Sequence, residues 1–188
     1  MLIVFDIDET LVHSRSEDEL DSDTIKILRE SPNCFSYEDY MVIKRPYLVE
    51  ALKYLSNIPI FDIAVWSAGT SDYVNYIVKK IFPDPSLLKF VMTRNDLDET
   101  WNKPLSRALG KYNEILGGTY ADIHDILIVD DKPKVTAHYE LNHLYVPPFE
   151  GYDNDEILLE LARYLGSVTH MSTAEHIVMG WDYSSTSI

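Results

Sequence analysis

The chain opens with an apolar run that ends abruptly at two aspartates. Residues 2–10 read Leu-Ile-Val-Phe-Asp-Ile-Asp-Glu-Thr, so Asp6 and Asp8 directly follow a segment rich in β-branched and aromatic side chains. Such a segment predicts a buried strand, Leu2–Phe5. Two anions at the rim of an apolar sheet are costly unless positive charge lies against them, and open α/β sheets bind ligands at the carboxyl ends of their strands. The run therefore predicts a strand whose end begins a functional site.

Two later apolar runs end in polar side chains in the same way. The run at 60–66 stops at Ser67, and the run at 125–129 stops at Asp130 and Asp131. Helical patterns lie between these runs, and strands that alternate with helices predict an α/β fold with a parallel sheet between two helical layers. Because parallel strands end at the same edge of a sheet, we expect the three polar clusters to converge.

Hydrophobic periodicity assigns most of the remaining chain. Helices are predicted from 44–46 to 55, at 71–81, at 104–116 and at 153–165, with short strands at 90–93 and 144–146. The polar, acidic stretch 13–24 predicts a solvated loop, or the exposed start of a helix that runs to residue 29. Alternating aromatic and apolar residues at 35–43 predict one or two short strands. We expect residues 1–168 to form a single domain and 169–188 to form a C-terminal tail.

The charge balance narrows the range of partners. The 188 residues carry 31 acidic and 16 basic side chains, a formal net charge of -15. This disfavours extended nucleic acids and anionic membranes, since both are bound by clustered Lys and Arg. The single cysteine, Cys34, excludes an intramolecular disulfide and a cysteine-rich zinc site. Without a signal-peptide pattern or a membrane-spanning apolar stretch, the sequence favours a soluble, cytoplasmic protein, which we expect to be a monomer.

The expected convergence of carboxylates has a chemical consequence. Four carboxylates at one sheet edge repel each other and require a cation. Oxygen ligands alone suit a hard ion, and proteins commonly hold Mg²⁺ with one or two carboxylates, waters and a substrate phosphate. A lysine is also expected. Lys103 directly precedes Pro104 at a loop-to-helix boundary, and Lys111 is the nearby alternative.

Such a set of side chains can transfer a phosphoryl group. An aspartate carboxylate can attack phosphorus and form an aspartyl-phosphate. A second carboxyl group two residues along can protonate the leaving oxygen and then deprotonate the attacking water. Hydroxyl and ammonium donors, together with Mg²⁺, stabilise the charge of the phosphoryl oxygens. The pattern therefore indicates phosphoryl transfer through a covalent intermediate.

The ordered motifs resemble the haloacid-dehalogenase (HAD) superfamily of phosphatases: Asp-x-Asp-x-Thr after an apolar strand, then Ser, Lys and an Asp pair. Residues 6–14, Asp-Ile-Asp-Glu-Thr-Leu-Val-His-Ser, are similar to the opening of its FCP/SCP group, which dephosphorylates the C-terminal domain (CTD) of RNA polymerase II and related phosphoproteins. Lys-Arg-Pro at 44–46, Ile-Val-Asp-Asp-Lys-Pro at 128–133 and Pro-Phe at 148–149 extend the similarity over 2–165. The resemblance implies a HAD-like Rossmannoid fold with three α/β/α layers, a mainly parallel central sheet, a small flap or hairpin insertion and no large cap.

The resemblance also implies a role for each site residue. Asp6 would be the nucleophile and a Mg²⁺ ligand. Asp8 would be the general acid and base, and its backbone carbonyl would also bind the metal. Lys103 would neutralise the phosphoaspartate. Phosphate binding would fall to Thr10, Ser67, Ala68 and Lys103, with Thr10 bracing the loop, and Mg²⁺ would also be held by Asp130 and Asp131.

Together these expectations describe a Mg²⁺-dependent phosphomonoester hydrolase, and the FCP/SCP resemblance implies a protein serine/threonine phosphatase. Two alternatives remain open. One is a HAD phosphatase that acts on nucleotides or on nucleic-acid 3′-phosphate ends, and the other is a non-catalytic phosphopeptide-binding scaffold. A scaffold is expected to have lost the first aspartate or the lysine, and this chain keeps both. Tyr47 departs from the group, which usually has Gly after Lys-Arg-Pro.

Overall fold

A parallel sheet forms the centre of the structure, a computed structural model that describes residues 1–82, 84–118, 120–136, 138–170 and 173–182. The strands are β1 (Leu2–Phe5), β2 (Val12–Ser16), β3 (Cys34–Tyr37), β4 (Tyr40–Lys44), β5 (Asp62–Trp66), β6 (Leu88–Met92), β7 (Ile126–Asp130) and β8 (His143–Tyr145). The helices are α1 (Ser22–Glu30), α2 (Leu48–Ser56), α3 (Ser71–Ile81), α4 (Leu105–Leu116), α5 (Ile157–Ser167) and α6 (Ala174–Gly180).

Strand β1 occupies the middle of the central sheet, whose order is β6-β5-β1-β7-β8. It pairs in parallel with β5 and with β7, and Leu2 lies opposite Asp62 on one side and Ile126 on the other. All four residues of β1 are buried, as expected for an apolar strand in a sheet that is covered on both faces. Since β6 and β8 also pair in parallel with their neighbours, the predicted parallel sheet is confirmed.

Helices cover both faces of the central sheet, and the alternation of side chains along β1 decides which residue faces which layer. Ile3 and Phe5 belong to a core that contains apolar residues of α2, α3, α5 and α6. Leu2 and Val4 belong to a second core, formed with α4. Burial of each large apolar side chain contributes roughly 1.5–3 kcal/mol relative to exposure. The two cores therefore hold together the three α/β/α layers that the resemblance implied.

A second, antiparallel sheet of order β2-β4-β3, here called the flap sheet, is inserted between β1 and α2. Strand β2 pairs with β4 along its whole length. The loop or helix start predicted from residue 13 is therefore wrong for 13–16, whereas the helix expected further along begins at Ser22. An antiparallel strand with one solvated face can carry polar side chains, because its partner satisfies the backbone hydrogen bonds. The polar composition of this segment conceals that pairing.

The helix predicted to open at 44–46 begins later, at Leu48. Lys44 is the last residue of β4, and the side chain of Arg45 is buried. Tyr47 has a φ of 63°, in the left-handed region that favours glycine. The position at which the FCP/SCP group usually has Gly is therefore one where this chain strains a tyrosine.

Helix α5 also begins later than predicted, at Ile157 rather than at 153. The Asp155 carboxylate accepts a hydrogen bond from the Ile157 N–H at 3.1 Å, so this aspartate lies outside the helix and satisfies one of the amides of its first turn. The C-terminus of another helix, α4, agrees with the prediction. This helix ends before Gly117, because the glycine adopts a φ of 77° and closes the helix.

Part of the predicted tail forms α6, which packs against the rest of the structure. Ala174 and Ile177 are buried in the core that contains α2, α3 and α5. The Trp181 indole N–H donates to the Tyr145 carbonyl oxygen at 2.8 Å. Positions 171, 172 and 183–188 of the tail lie outside the described residues, and the boundary at 168 stays a prediction. Within the described ranges, no helix combines the length and apolar character needed to cross a membrane.

Candidate active site

The three polar clusters meet at one edge of the central sheet. Asp6 follows β1, Ser67 follows β5, and Asp130 ends β7, and these strands are neighbours in the sheet. Backbone pairing continues just beyond the strands, since the Asp6 N–H donates to the Val129 carbonyl oxygen at 2.9 Å. The parallel topology therefore brings together side chains that are separated by more than a hundred positions in the sequence.

Three carboxylates form a compact, buried cluster. One oxygen from each of Asp6, Asp130 and Asp131 lies within 4.8 Å of the others, and all three residues are buried. The Lys103 ammonium group donates to Asp6 Oδ1 and to Asp130 Oδ2, each at 2.6 Å, and Lys103 is only 2% exposed. The cluster thus combines three acidic groups with one buried cation. Together these four residues are here called the acidic cluster.

The loop before α4 carries Lys103 into the acidic cluster. The Lys103 backbone N–H donates to the Val135 carbonyl oxygen at 2.8 Å, and Pro104 is the N-cap residue of α4. Lys111, the alternative lysine, lies eight positions further along the chain, inside α4, and its ammonium group donates to the Val91 carbonyl oxygen at 3.3 Å. The contacts of the two lysines therefore place Lys103, and not Lys111, against the carboxylates.

Burial and mutual repulsion perturb the carboxylates of the acidic cluster. Burial raises the pKa of Asp6 to about 8, because the Lys103 cation only partly offsets desolvation and the repulsion from Asp130 and Asp8. Burial and the neighbouring Asp130 raise the pKa of Asp131 to about 6. Burial alone would lower the pKa of Lys103, but Asp6 and Asp130 outweigh it and raise that pKa, so Lys103 stays cationic.

This donor set fits a hard divalent cation. With every group ionised, the acidic cluster carries an excess of negative charge that a divalent cation would balance, and its ligand atoms are all carboxylate oxygens. Asp6, Asp130 and Asp131 are the residues that would hold the ion. Perturbed carboxylates next to a buried lysine at the edge of a parallel sheet are typical of a functional site.

Asp8 lies apart from the acidic cluster, with different partners. It is half-buried, and the Ser67 hydroxyl donates to its Oδ2 at 3.1 Å. The Tyr73 hydroxyl donates to its Oδ1. Among the described residues, the Asp8 carboxylate is not one of the groups that could share a metal with Asp6. Neutral donors thus surround Asp8, whereas a cation contacts Asp6.

The loop that joins Asp6 to the flap sheet is braced from two sides. The Thr10 hydroxyl donates to Asp131 Oδ1 at 3.4 Å, and the Thr10 carbonyl oxygen accepts from Arg45 Nη1 at 3.1 Å. Arg45 also donates through Nε and Nη2 to the two oxygens of Asp155, each at 2.8 Å. Glu9 has a φ of 63°, and its carbonyl oxygen accepts the Phe149 N–H at 2.6 Å.

The turn after β5 places Ser67 beside Asp8. The Gly69 N–H donates to Ser67 Oγ at 2.9 Å, and the Ala68 carbonyl oxygen accepts from Arg94 Nε at 2.8 Å. Gly69 is required for space, because a Cβ at this position would lie 2.6 Å from the Tyr73 ring. The turn thus holds the Ser67 hydroxyl between a backbone donor and the Asp8 carboxylate.

Two residues with central contacts were not among the predicted site residues. Arg45 stood in the Lys-Arg-Pro motif, but the sequence alone did not show that its side chain turns inward to the loop after Asp6. Tyr73 occupies the first turn of α3, and its spacing from Ser67 carries no recognisable pattern. A polar residue followed by a helix start is too common to identify a partner of Asp8.

The chain is similar to known proteins over most of its length. CTD phosphatase-like protein 355R of Invertebrate iridescent virus 3 is 27% identical over 180 residues, covering 87% of this chain and 94% of that protein. CTD small phosphatase-like protein 2 of Dictyostelium discoideum is 28% identical over 174 residues, covering 90% of this chain but only 27% of that protein.

A solved structure and a family model extend the comparison. The structure of the fission yeast RNA polymerase II CTD phosphatase Fcp1 bound to beryllium fluoride matches with a TM-score of 0.59 at 20% identity, over 94% of this chain and 52% of that one. This likeness supports the HAD fold. The family model described as NLI interacting factor-like phosphatase matches residues 1–175. The chain therefore belongs to the NLI interacting factor-like phosphatases, which are HAD phosphatases of FCP/SCP type.

Proposed function

We propose that this phosphatase is Mg²⁺-dependent, works through an aspartyl-phosphate on Asp6 and removes phosphate from phosphoserine or phosphothreonine in proteins. The observation that carries the proposal is that two aspartates two positions apart have different hydrogen-bond partners. Asp6 lies against the Lys103 cation in the acidic cluster, whereas Asp8 is held by two neutral hydroxyl donors. This difference supports attack by Asp6 and proton exchange by Asp8.

In the first step, an Asp6 carboxylate oxygen attacks phosphorus and the bond from phosphorus to the leaving oxygen breaks. Asp8 gives its proton to that oxygen, so the product leaves as an alcohol. In the second step, Asp8 takes a proton from water as the water oxygen attacks phosphorus. The bond between phosphorus and Asp6 then breaks and releases inorganic phosphate.

Donors at the sheet edge stabilise the charge that passes through these steps. Lys103 and Ser67 lie beside the two reacting carboxylates and would donate to phosphoryl oxygens. Bound Mg²⁺, held by Asp6, Asp130 and Asp131, would add positive charge that keeps Asp6 ionised and neutralises the phosphoryl oxygens. The bound ion would thus balance the excess negative charge of the acidic cluster.

A protein substrate is favoured by the relatives and by the shape of the chain. Relatives from a virus and from Dictyostelium are named as CTD phosphatase-like proteins. In the described residues, the insertion between β1 and α2 consists of the flap sheet, α1 and one short 3-10 helix, and an insertion without a large cap favours an extended substrate. The net charge of -15 disfavours long nucleic acids.

The test compares Asp6→Asn with a matched aspartate at the opposite edge of the same sheet. Asp62 opens β5 and accepts a hydrogen bond from the Tyr112 hydroxyl at 2.6 Å. With Mg²⁺ present, we expect Asp6→Asn to lose at least about 10⁴-fold in turnover, as other nucleophile knockouts do. Asp62→Asn should stay within about twofold. Retained turnover by a pure Asp6→Asn preparation would contradict the mechanism.

A substrate panel tests the second half of the proposal. Phosphoserine peptides, nucleotides and 3′-phosphorylated oligonucleotides are compared by kcat/KM with Mg²⁺ present. We expect the phosphopeptides to give the highest values. Preference for nucleotides or oligonucleotides would keep the chemistry and overturn the substrate class. Tight phosphopeptide binding without hydrolysis of any phosphomonoester would indicate a scaffold instead.

A further inference from the structure

We propose that Tyr73 is a positioning residue, which fixes the Asp8 carboxyl group for proton transfer and couples its placement to the flap sheet. This inference rests on the proposed function, because it deepens the role of Asp8 as acid and base. It concerns a residue of α3 that the sequence did not single out.

Three hydroxyl and carboxyl groups form a chain of hydrogen bonds from the flap sheet to Asp8. The Tyr73 hydroxyl donates to Asp8 Oδ1, and Ser14 Oγ in β2 lies 3.1 Å from the Tyr73 hydroxyl oxygen. A phenol has one proton to donate. Because that proton goes to Asp8, the Ser14 hydroxyl must be the donor to Tyr73. The direction of the chain is therefore fixed from Ser14 through Tyr73 to Asp8.

Both oxygens of Asp8 accept hydrogen bonds in this structure. Tyr73 donates to Oδ1 and Ser67 donates to Oδ2. Ser67 also has only one proton to donate. In the proposed mechanism, its hydroxyl donates a hydrogen bond to a phosphoryl oxygen of the bound substrate. Substrate binding would then release Oδ2 and leave it free to carry the transferred proton. Throughout the cycle, Tyr73 would hold Oδ1.

The ring of Tyr73 is itself held by its surroundings. Its ring centroid lies 5.2 Å from that of Tyr37 in β3, edge to face, and Gly69 leaves room for the ring, since a Cβ there would lie 2.6 Å from it. Burial and the nearby Asp8 raise the pKa of Tyr73, so its hydroxyl keeps its proton. Two strands of the flap sheet therefore contact the residue that holds Asp8.

A purely structural Tyr73 would fill space between α3 and the flap sheet, and its hydroxyl would matter only for stability. The two interpretations predict different effects on the reaction rate when the Tyr73 hydroxyl is removed. Only the positioning role makes the size of the rate loss depend on the leaving group. An alkoxide leaving group needs a proton, whereas a nitrophenolate leaves without one. Poor placement of Asp8 should therefore slow alkyl phosphates selectively, because small displacements of a catalytic group cost rate steeply.

The experiment compares Tyr73→Phe with Tyr76→Phe in the full chain with Mg²⁺. Tyr76 lies one turn further along α3, its ring is 5.0 Å from that of Tyr37, and its hydroxyl donates to the Ser36 carbonyl oxygen at 2.8 Å. It thus matches Tyr73 in ring contacts with the flap sheet but does not contact Asp8. Single-turnover phosphorylation of the enzyme is measured with a phosphoserine peptide and with p-nitrophenyl phosphate.

For Tyr73→Phe we expect the rate with the phosphoserine peptide to fall about 10-fold or more and the rate with p-nitrophenyl phosphate to fall less than about 3-fold, with KM little changed. Ser14→Ala should lower the ratio of the phosphoserine-peptide rate to the p-nitrophenyl phosphate rate in the same direction, by a smaller factor. Tyr76→Phe should leave the ratio unchanged. Urea unfolding of each variant separates these effects from loss of stability.

Equal losses with both substrates, or no loss with either, would overturn the positioning role of Tyr73. Asp8→Asn keeps that failure distinct from failure of the proposed function. If Asp8→Asn slows the phosphoserine peptide selectively and Tyr73→Phe does not, the mechanism stands and this inference fails. If Asp8→Asn shows no selectivity, the acid role of Asp8 itself fails, and the inference fails with it.

Discussion

Arg45 and Lys103 are both buried cations that form ion pairs with aspartates, yet their surroundings differ in one respect. Arg45 contacts a single carboxylate, Asp155, through two parallel hydrogen bonds, and its guanidinium also donates to the carbonyl oxygens of Thr10 and Pro147. Lys103 contacts two carboxylates and lies beside a third. The first pair is balanced in charge, and the acidic cluster is not.

This difference separates a structural ion pair from a reactive one. A balanced, bidentate pair needs no further ligand, so Arg45 can tie the loop after Asp6 to the start of α5. The acidic cluster holds more negative charge than Lys103 can neutralise, and burial together with the repulsion from Asp130 and Asp8 raises the pKa of Asp6 to about 8. Burial thus has opposite consequences at the two sites. At Arg45, burial holds the loop after Asp6 in place. Around Lys103, burial leaves unbalanced negative charge that favours binding of a further cation.

Among the changes that test this contrast between the two cations, the largest effect is expected when the lysine of the acidic cluster is removed. Lys103→Met should lower kcat by about 10²–10³-fold, because it deletes a charged donor to the phosphoryl oxygens. Lys111→Met, in the helix α4 that follows Lys103, is the control and should change kcat by less than about twofold. Steady-state kinetics with a phosphomonoester and Mg²⁺ make the measurement. A larger loss for Lys111→Met would reverse the assignment of the two lysines.

Removal of the balanced cation should act on stability instead. Arg45→Met leaves the Asp155 carboxylate without its partner, and breaking a buried pair in this way costs about 3 kcal/mol of unfolding free energy. Arg29→Met is the control, since its pair with Glu17 is exposed and should be worth less than about 1 kcal/mol. Urea unfolding of both variants tests the contrast. Similar losses for the two would show that burial is not what matters at Arg45.

The contrast also explains which parts of the site the sequence could predict. Asp6, Ser67 and Asp130 each follow an apolar run, and parallel strands must end at one edge, so their convergence is a consequence of topology. Lys103 had no such signal of its own and was placed by its order among the motifs. Periodicity identifies apolar faces, but it does not show which polar side chain turns inward. For Arg45, the sequence therefore predicted only a place at the start of a helix and not its buried contacts.

The same limit applies to the fold. The apolar strands of the central sheet were predicted because burial on both faces selects continuous runs of apolar residues. Strand β2 was not, because its partner β4 lies almost thirty positions away and its last three residues, Ser14, Arg15 and Ser16, are all polar. Tyr73 also depends on this pairing, since Ser14 and Tyr37 reach it only when the flap sheet is formed. Contacts of this kind are set by tertiary structure.

The smallest effect expected is a pH dependence of stability. Of the two ion-paired sites, only the acidic cluster should show it. The pKa of Asp6 is raised from 3.8 to about 8 in the folded chain without metal. The folded state then binds this proton more tightly than the unfolded state, so the added stability is complete below about pH 4 and is lost as pH rises through 8. Between pH 6 and pH 8 in EDTA, we expect the unfolding free energy to fall by about 1–2 kcal/mol.

Mg²⁺ should remove this dependence, because a bound cation favours the ionised carboxylates of the acidic cluster. Asp6→Asn in EDTA should flatten it as well, since the group that titrates is gone. Arg45→Met should be less stable at both pH values but keep the difference between them, because Asp155 lies in the balanced pair. Urea unfolding of these proteins at the two pH values decides the matter. A metal-free chain whose stability stays constant or rises towards pH 8 would show that Lys103 already neutralises Asp6, and the two buried cations would then be alike.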